Sequence, residues 1–349
     1  MKIRLVLGHV GFASGIVLSA LAEHPPHRGH FVTFDPTGSI FTFPSAITAA
    51  EVVVGSYADS SGAQHGFLRE RNGIFITFDP SGSTSTTATD INHEETVTGA
   101  YNDAAGVTHG FKRTRDGTIT SFDAPNGVIN NSIYLANGPP PTINPSGMIA
   151  GTYTVFSPSF TEHGFLRERN GTLLTIDVPG AALTEVLAIN PAGALVGDFN
   201  TATLFFQGFV RTPDGTFSTA NFPGIPVCIN PAGTTAGNYT DASNVEHGFV
   251  RAANGTVTTF DIPGSNFISV YAINPEGALT GYYTAGANNT FHGFLRAPDG
   301  VLTTFDMPAS IGTAGVAVNQ AGTVTGVFFS NAAGVTHGFL FFPCPCPDR

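Results

Sequence analysis

The chain of 349 residues has no tryptophan, only three cysteines, and charge on only 11% of its residues. Three thiols cannot form the disulfide framework of a small secreted domain, so its core must come from apolar packing. With 14 Lys and Arg against 25 Asp and Glu, the net charge is −11. That balance argues against nucleic acid and anionic lipid as partners. Beyond the N-terminal segment, no run is long and apolar enough to cross a membrane. The G-x-G-x-x-G, Walker, G-x-S-x-G, H-E-x-x-H and Asp-box patterns are absent too, so no common nucleotide or hydrolase motif is in view.

What the chain does have is punctuation, with 42 Gly and 24 Pro, and aromatic bulk, with 30 Phe. A motif H-G-F starts at His65, His109, His163, His247, His292 and His337, and Gln207 stands in the fourth place. The mean step of about 45 residues signals a propeller or solenoid. Three turn types divide each of the seven units into four short strands, A to D. N-P-x-G, as in Asn190 to Gly193, joins A to B; proline presets the second turn position and glycine ends a type I turn. D-x-x-G, as in Asp103 to Gly106, joins B to the H-G-F strand C, and N-G or D-G, as in Asn72-Gly73, joins C to D. Three successive hairpins make a four-stranded antiparallel meander, the form of one propeller blade.

The two ends of the chain complement each other. His30 to Asp35 reads like strand D of other units, such as Thr258 to Asp261, while no strand D follows His337 to Phe342. The spacing therefore predicts an all-β, seven-bladed propeller over residues 30–342, with the N-terminal strand joining the last blade. Residues 343–349 form a short tail.

At A-I-N, G-x-Y and H-G-F the chain resembles a family of bacterial extracellular repeat proteins named after its H-A-F signature, over roughly residues 30–342. Gly stands here where the family name has Ala. The resemblance implies an exported, propeller-like repeat protein and brings no catalytic residues. Composition agrees with export. Lys2 and Arg4, an apolar run from Leu5 to Leu21 and the small-x-small triplet Ala20-Leu21-Ala22 read as a signal peptide over residues 1–22. Residues 23–29 then form a linker; a retained membrane anchor is the alternative. Cleavage would leave 12 basic and 25 acidic residues, a net charge of −13, on a secreted chain expected to be monomeric with no stable membrane association.

The repeated histidines are the most conspicuous chemistry. Fourteen residues always separate them from the Asp that ends strand D: His65 and Asp79, His109 and Asp123, His163 and Asp177, His247 and Asp261, His292 and Asp306. In the fourth unit the same interval joins Gln207 to Asn221, both amides, and ring closure would pair His337 with Asp35. Such regularity predicts buried hydrogen-bonded pairs bracing strands C and D rather than six copies of a catalytic dyad. The register required is a hairpin centred on Asn72, with Gly73 in the left-handed region and Phe78 lying over Gly66. Mid-strand B glycines, from Gly55 and Gly99 to Gly326, are expected to admit an aromatic ring of the neighbouring blade. Cys228, where other units carry alanine, reads as a buried small hydrophobe. Cys344 and Cys346 sit in P-C-P-C-P, where a mutual bridge would be strained, so free thiols or intermolecular pairing are expected.

Function is sought where the repeat departs from its own spacing. Eight residues separate the Ile or Val of A-I-N from the strand B glycine in every unit. The step from the end of strand D to that Ile or Val is usually 12, but 20 between Asp123 and Ile143 and 8 between Asn221 and Ile229. The B–C turn of the third unit is also longer. This variation should gather on the face of the D–A and B–C connections, which marks a binding face. Asn130, Asn131, Tyr134, Asn137, Phe156 and Phe160 are its candidate ligand residues. Asp90 is a further candidate: it holds an inner-strand position where only Thr142 is also polar, suited to a cation, a water or a neighbouring strand. The expectation is an exported non-catalytic binding or scaffold propeller for an extracellular glycan or protein. The alternative is a polysaccharide lyase or glycoside hydrolase acting at the channel mouth. No cofactor is expected; the D-x-x-G turns lack the further acidic ligands of a calcium loop, and a metal is otherwise left open.

Overall fold

A computed structural model of the chain describes residues 29–131, 140–157, 159–201, 206–330 and 335–343. The segments read as signal peptide and linker up to residue 28, together with Tyr134, Asn137, Cys344 and Cys346, lie outside the described residues. All regular structure among the described residues is β-strand.

The second repeat shows how the sequence sets the form. Its strands Ser83–Ile91, Val97–Asp103, Thr108–Arg113 and Ile119–Phe122 pair antiparallel in chain order. In the B–C turn, Asp103 Oδ1 accepts the amides of Ala105 at 2.8 Å and Val107 at 2.9 Å, while Gly106 takes φ +78°. In the C–D hairpin, Thr114 N donates to Thr118 O at 2.9 Å and Gly117 takes φ +90°. This is a three-residue loop with glycine in the left-handed place, the register the His–Asp spacing requires.

The strands form three four-stranded sheets, one five-stranded sheet and one twelve-stranded sheet, and none closes on itself. The largest joins strands of the last, first and second repeats through parallel contacts at Phe41–Thr336 and Gln64–Ser85. The N-terminal strand Gly29–Phe34 lies antiparallel to Thr336–Pro343, from Gly29 opposite Pro343 to Phe34 opposite Gly338.

Two expectations need correction. The strand B glycines do not receive a neighbouring repeat's ring. A β-bulge between Ala88 and Asp90 turns strand A toward Gly99, so a Cβ there would fall on the Thr87 carbonyl and crowd Phe111 of the same repeat. Gly55, Gly197, Gly237, Gly281 and Gly326 face a strand A carbonyl in the same way. The added length of the third repeat is likewise not a D–A connection. Val128–Ile129 and Thr142–Ile143 both pair with Ile149–Val155, so the insertion opens within strand A, where other repeats have their bulge.

The core lies between successive repeats. The H-G-F phenylalanines Phe67, Phe111, Phe165, Phe209, Phe249, Phe294 and Phe339 are fully buried. Leu68 and Phe78 of the first repeat pack with Val97 and Phe111 of the second. Arginines ending strand C reach back over the previous repeat's strand D ring: Arg113 lies 4.9 Å above Phe78, Arg167 5.1 Å above Phe122 and Arg296 5.0 Å above Phe260.

A belt of amides adds a second coupling. The buried Asn of each A-I-N uses Oδ1 to cap its own turn, as Asn190 does for Ala194 N at 2.9 Å. Its Nδ2 donates to a carbonyl of the next repeat. Asn92 reaches Asn144, Asn144 reaches Asn190 and Asn190 reaches Asn230, at 3.3, 3.2 and 3.3 Å. Asn230 continues to Pro275 and Asn274 to Asn319, and Asn319 reaches Thr48 of the first repeat at 3.3 Å.

Candidate functional site

The repeated histidines meet their aspartates. Nδ1 donates to the carboxylate at 2.7 Å for His65–Asp79, 2.5 Å for His109–Asp123, 2.9 Å for His163–Asp177 and 2.6 Å for His247–Asp261. His292–Asp306 spans 2.9 Å, and His337–Asp35, 302 residues apart, spans 2.7 Å. These pairs are not buried as expected: the imidazoles keep 15–28% and the carboxylates 27–67% of their surface. Strand D is the last strand of its repeat, and its terminal carboxylate stays partly open to solvent even where Thr86 Oγ1 of the next repeat donates to Asp79 Oδ1 at 2.6 Å. The amide pair also departs from expectation, since no hydrogen bond joins Gln207 to Asn221 among the described residues. Strand D of that repeat is only Phe217–Ser218, and Asn221 turns to φ +61°. The connection of eight residues to Ile229 draws the chain away before the ladder reaches Gln207.

In three repeats the B–C turn aspartate approaches the other ring nitrogen, at 3.6 Å for Asp59 to His65, 3.3 Å for Asp103 to His109 and 3.4 Å for Asp241 to His247. The hydrogen bonds to Asp79, Asp123 and Asp261 chiefly raise these three histidine pKa values, against an opposing effect of burial. Asp59 is held down to about 2, chiefly by the Ser61 hydroxyl. A tyrosine ring lies against each imidazole, 5.2 Å away for Tyr57, 5.0 Å for Tyr101 and 4.9 Å for Tyr239. Cys228 is buried, which pushes its thiol up to about 12 and leaves it unreactive.

Asp90 and Thr142, the two polar inner-strand residues, bind each other. Asp90 Oδ2 accepts from Thr142 Oγ1 at 2.9 Å and Ile143 N at 2.8 Å, and Oδ1 accepts from Ile91 N at 2.8 Å. Burial raises the carboxyl pKa, and these bonds oppose that effect. Asp90 therefore clamps the second repeat to the third and stands apart from the other candidates.

Asn130, Asn131, Phe156 and Phe160 do converge. They line a cleft of about 640 Å³, a typical small-ligand volume, shared by the first three repeats. Asn130 is 5% exposed, and its Oδ1 accepts from Thr154 Oγ1 at 2.7 Å. Its Nδ2 is buried with no hydrogen-bond partner, and so is Asn131 Oδ1. At the other extreme, Phe156 and Phe160 are 66% and 57% exposed, with ring centroids 6.1 Å apart. Sequence reasoning missed other residues of the wall, among them Phe41, Gln64, Ser85, Thr87, Asn102, Thr108 and Glu162. Apart from Glu162 these lie on strands of the first two repeats, whose spacing is ordinary, so spacing gave no signal for them.

A second groove, about 760 Å³, opens among the A–B and C–D turns of the first two repeats. Arg71 and Arg115 there already pair with Glu51 and Glu95, each at 3.3 Å. Those glutamates occupy the N-P-x-G glycine position at φ +64° and +58°. Among the described residues no cluster of three or more His, Cys, Asp or Glu could hold a metal ion, and no helix is long and apolar enough to cross a membrane.

No protein-family model and no curated protein matches the chain. Solved structures do match its fold. A streptogramin B lyase structure is 14% identical with a TM-score of 0.53, covering 89% of this chain and 97% of that one. The β-propeller domain of Myceliophteria thermophila Cps50 (Swd1) is 10% identical with a TM-score of 0.54, covering 90% and 99%. Puromycin hydrolase is 11% identical with a TM-score of 0.59 over 89% of this chain, which spans only 54% of the hydrolase. Likenesses this distant define the class: an all-β, β-propeller-like protein.

Proposed function

We propose that the chain is an exported, non-catalytic binding propeller of the H-A-F repeat type, whose extracellular ligand sits in the cleft of the first three repeats. Its seven repeats would be the blades of one ring closed by the N-terminal strand. The pairing of Gly29–Phe34 with the last repeat and the amide bond from Asn319 to Thr48 support that closure. The observation that carries the binding role is the pair of buried amide atoms on the cleft wall, Asn130 Nδ2 and Asn131 Oδ1, which have no hydrogen-bond partner. Buried polar groups are normally satisfied, and a ligand would satisfy these. The hydrolase or lyase reading gains no support there, because the described lining holds one carboxylate, Glu162, and no histidine, whereas glycoside hydrolysis ordinarily uses a pair of carboxylates.

The test is to screen the protein against glycan and peptide arrays, then measure each hit by calorimetry with Asn130→Leu and with the double variant Phe156→Ala, Phe160→Ala. Binding should weaken at least about tenfold in both, with the unfolding midpoint of the double variant unchanged. Affinity indifferent to these changes, or hits lost only when His109 is replaced, would place recognition elsewhere.

A further inference from the structure

We infer that the ligand of this cleft is a neutral glycan, an assignment that rests on the binding role proposed above. Three features of the wall select that class. The first is charge. The described lining contains no Lys, Arg or His, and its one ionisable group is the Glu162 carboxyl, in a chain of net charge −11. A uronate, sulfate or phosphate would enter without a counter-charge, against the field of the whole protein.

The second feature is hydrogen-bonding character. Asn130 Nδ2 requires an acceptor and Asn131 Oδ1 requires a donor. A sugar hydroxyl is both at once, so one class of group can meet either demand. On the same lining the Ser85 hydroxyl can rotate to donate or accept, and the Thr108 hydroxyl, which donates to Asn102 Oδ1 at 2.8 Å, keeps its lone pairs for a ligand donor. A peptide amide presents a fixed donor and a fixed acceptor and gains less from such a wall.

The third is the rim. Phe156 and Phe160 present two rings to solvent, at 66% and 57% exposure, beside a cleft whose lining mixes amides and hydroxyls with Phe41, Val128 and Ile129. The face of an aromatic ring is electron-rich and meets the weakly positive C–H groups of a sugar ring favourably. Apolar faces and a hydroxyl edge on one molecule match rings and amides on one wall.

The absence of tryptophan makes the test direct. Phe156→Trp supplies the chain's first tryptophan, so all indole emission reports the cleft. The probes are maltotetraose, cellotetraose and mannotetraose, then tetragalacturonate, then an uncharged blocked tetrapeptide. At least one neutral tetrasaccharide should shift the emission saturably, with affinity weakened about tenfold or more by Asn130→Leu. Tetragalacturonate should not saturate at about ten times that concentration. If Asn130→Leu fails to fold, Phe160→Ala, at an exposed position, gives the same reading. A tetragalacturonate or peptide signal with the same dependence on Asn130 or Phe160 would overturn the ligand class and leave the cleft as the site. No signal from any probe, or one indifferent to these variants, would overturn both.

Discussion

Asn190 performs two tasks that substitution can separate. Oδ1 accepts from Ala194 N at 2.9 Å within its own turn, and Nδ2 donates to the Asn230 carbonyl of the next repeat at 3.3 Å. Thr48 shows what a shorter side chain retains, because its Oγ1 accepts from Val52 N at 3.1 Å and so still caps the turn. Asn190→Thr should therefore lose only the link between repeats. The Asn230 carbonyl keeps its bond from Gly233 N at 3.0 Å, so the cost falls near the ordinary net value of a hydrogen bond, about 1 kcal/mol. Asn190→Ala also strands the Ala194 amide, bringing the total to roughly 2–4 kcal/mol. In the reverse direction, Thr48→Asn should supply the one absent donor of the belt and stabilise by about 0.5–1.5 kcal/mol. Urea unfolding followed by far-ultraviolet circular dichroism gives all three shifts. Equal losses for Asn190→Thr and Asn190→Ala, or no gain from Thr48→Asn, would refute the division of labour.

Removing residues 29–35 should cost about 3 kcal/mol or more, since buried Phe34 contributes about 1.5–3 kcal/mol, half-buried Phe31 adds to it, and Thr336–Pro343 loses the partner on one of its edges; an unchanged urea midpoint would show that the terminal strand is dispensable. A second expectation concerns pH. His65, His109 and His247 have folded pKa values raised above 6.5, so their contribution is complete below pH 6.5 and is lost as pH rises through the raised values. The melting temperature should therefore fall as pH rises from 6.5 through the raised values, and triple replacement by glutamine should flatten that slope; equal slopes in the two proteins would contradict it.

Much of this was legible because it repeats. The constant interval of fourteen residues set the C–D register down to Phe78 over Gly66. The surplus strand at one terminus matched a deficit at the other, and the pairing of His30 with Phe342 is where that match puts it. What one repeat cannot reveal is how it meets the next. The Asn of A-I-N looked like the start of a turn; its second bond depends on where a strand some 45 residues away is placed. The same holds for Arg113 over Phe78. The strand B glycines were rightly read as sites of close approach, but the occupant is a carbonyl displaced by a bulge, and a bulge leaves little mark in composition. Asn130 and Phe156 stand out because they lie in added length, whereas Gln64 and Ser85 share their cleft from strands of repeats with standard spacing.

The amide belt runs one way: each linking asparagine gives its Nδ2 proton to a carbonyl of the repeat ahead. A whole repeat gained or lost by recombination would bring or remove one donor together with one acceptor, so hydrogen-bond balance does not restrict how many units such a chain can carry. Only the first repeat, with Thr48, receives without giving. At the level of these joints, a duplicated repeat would carry its own link to the next within the copied segment.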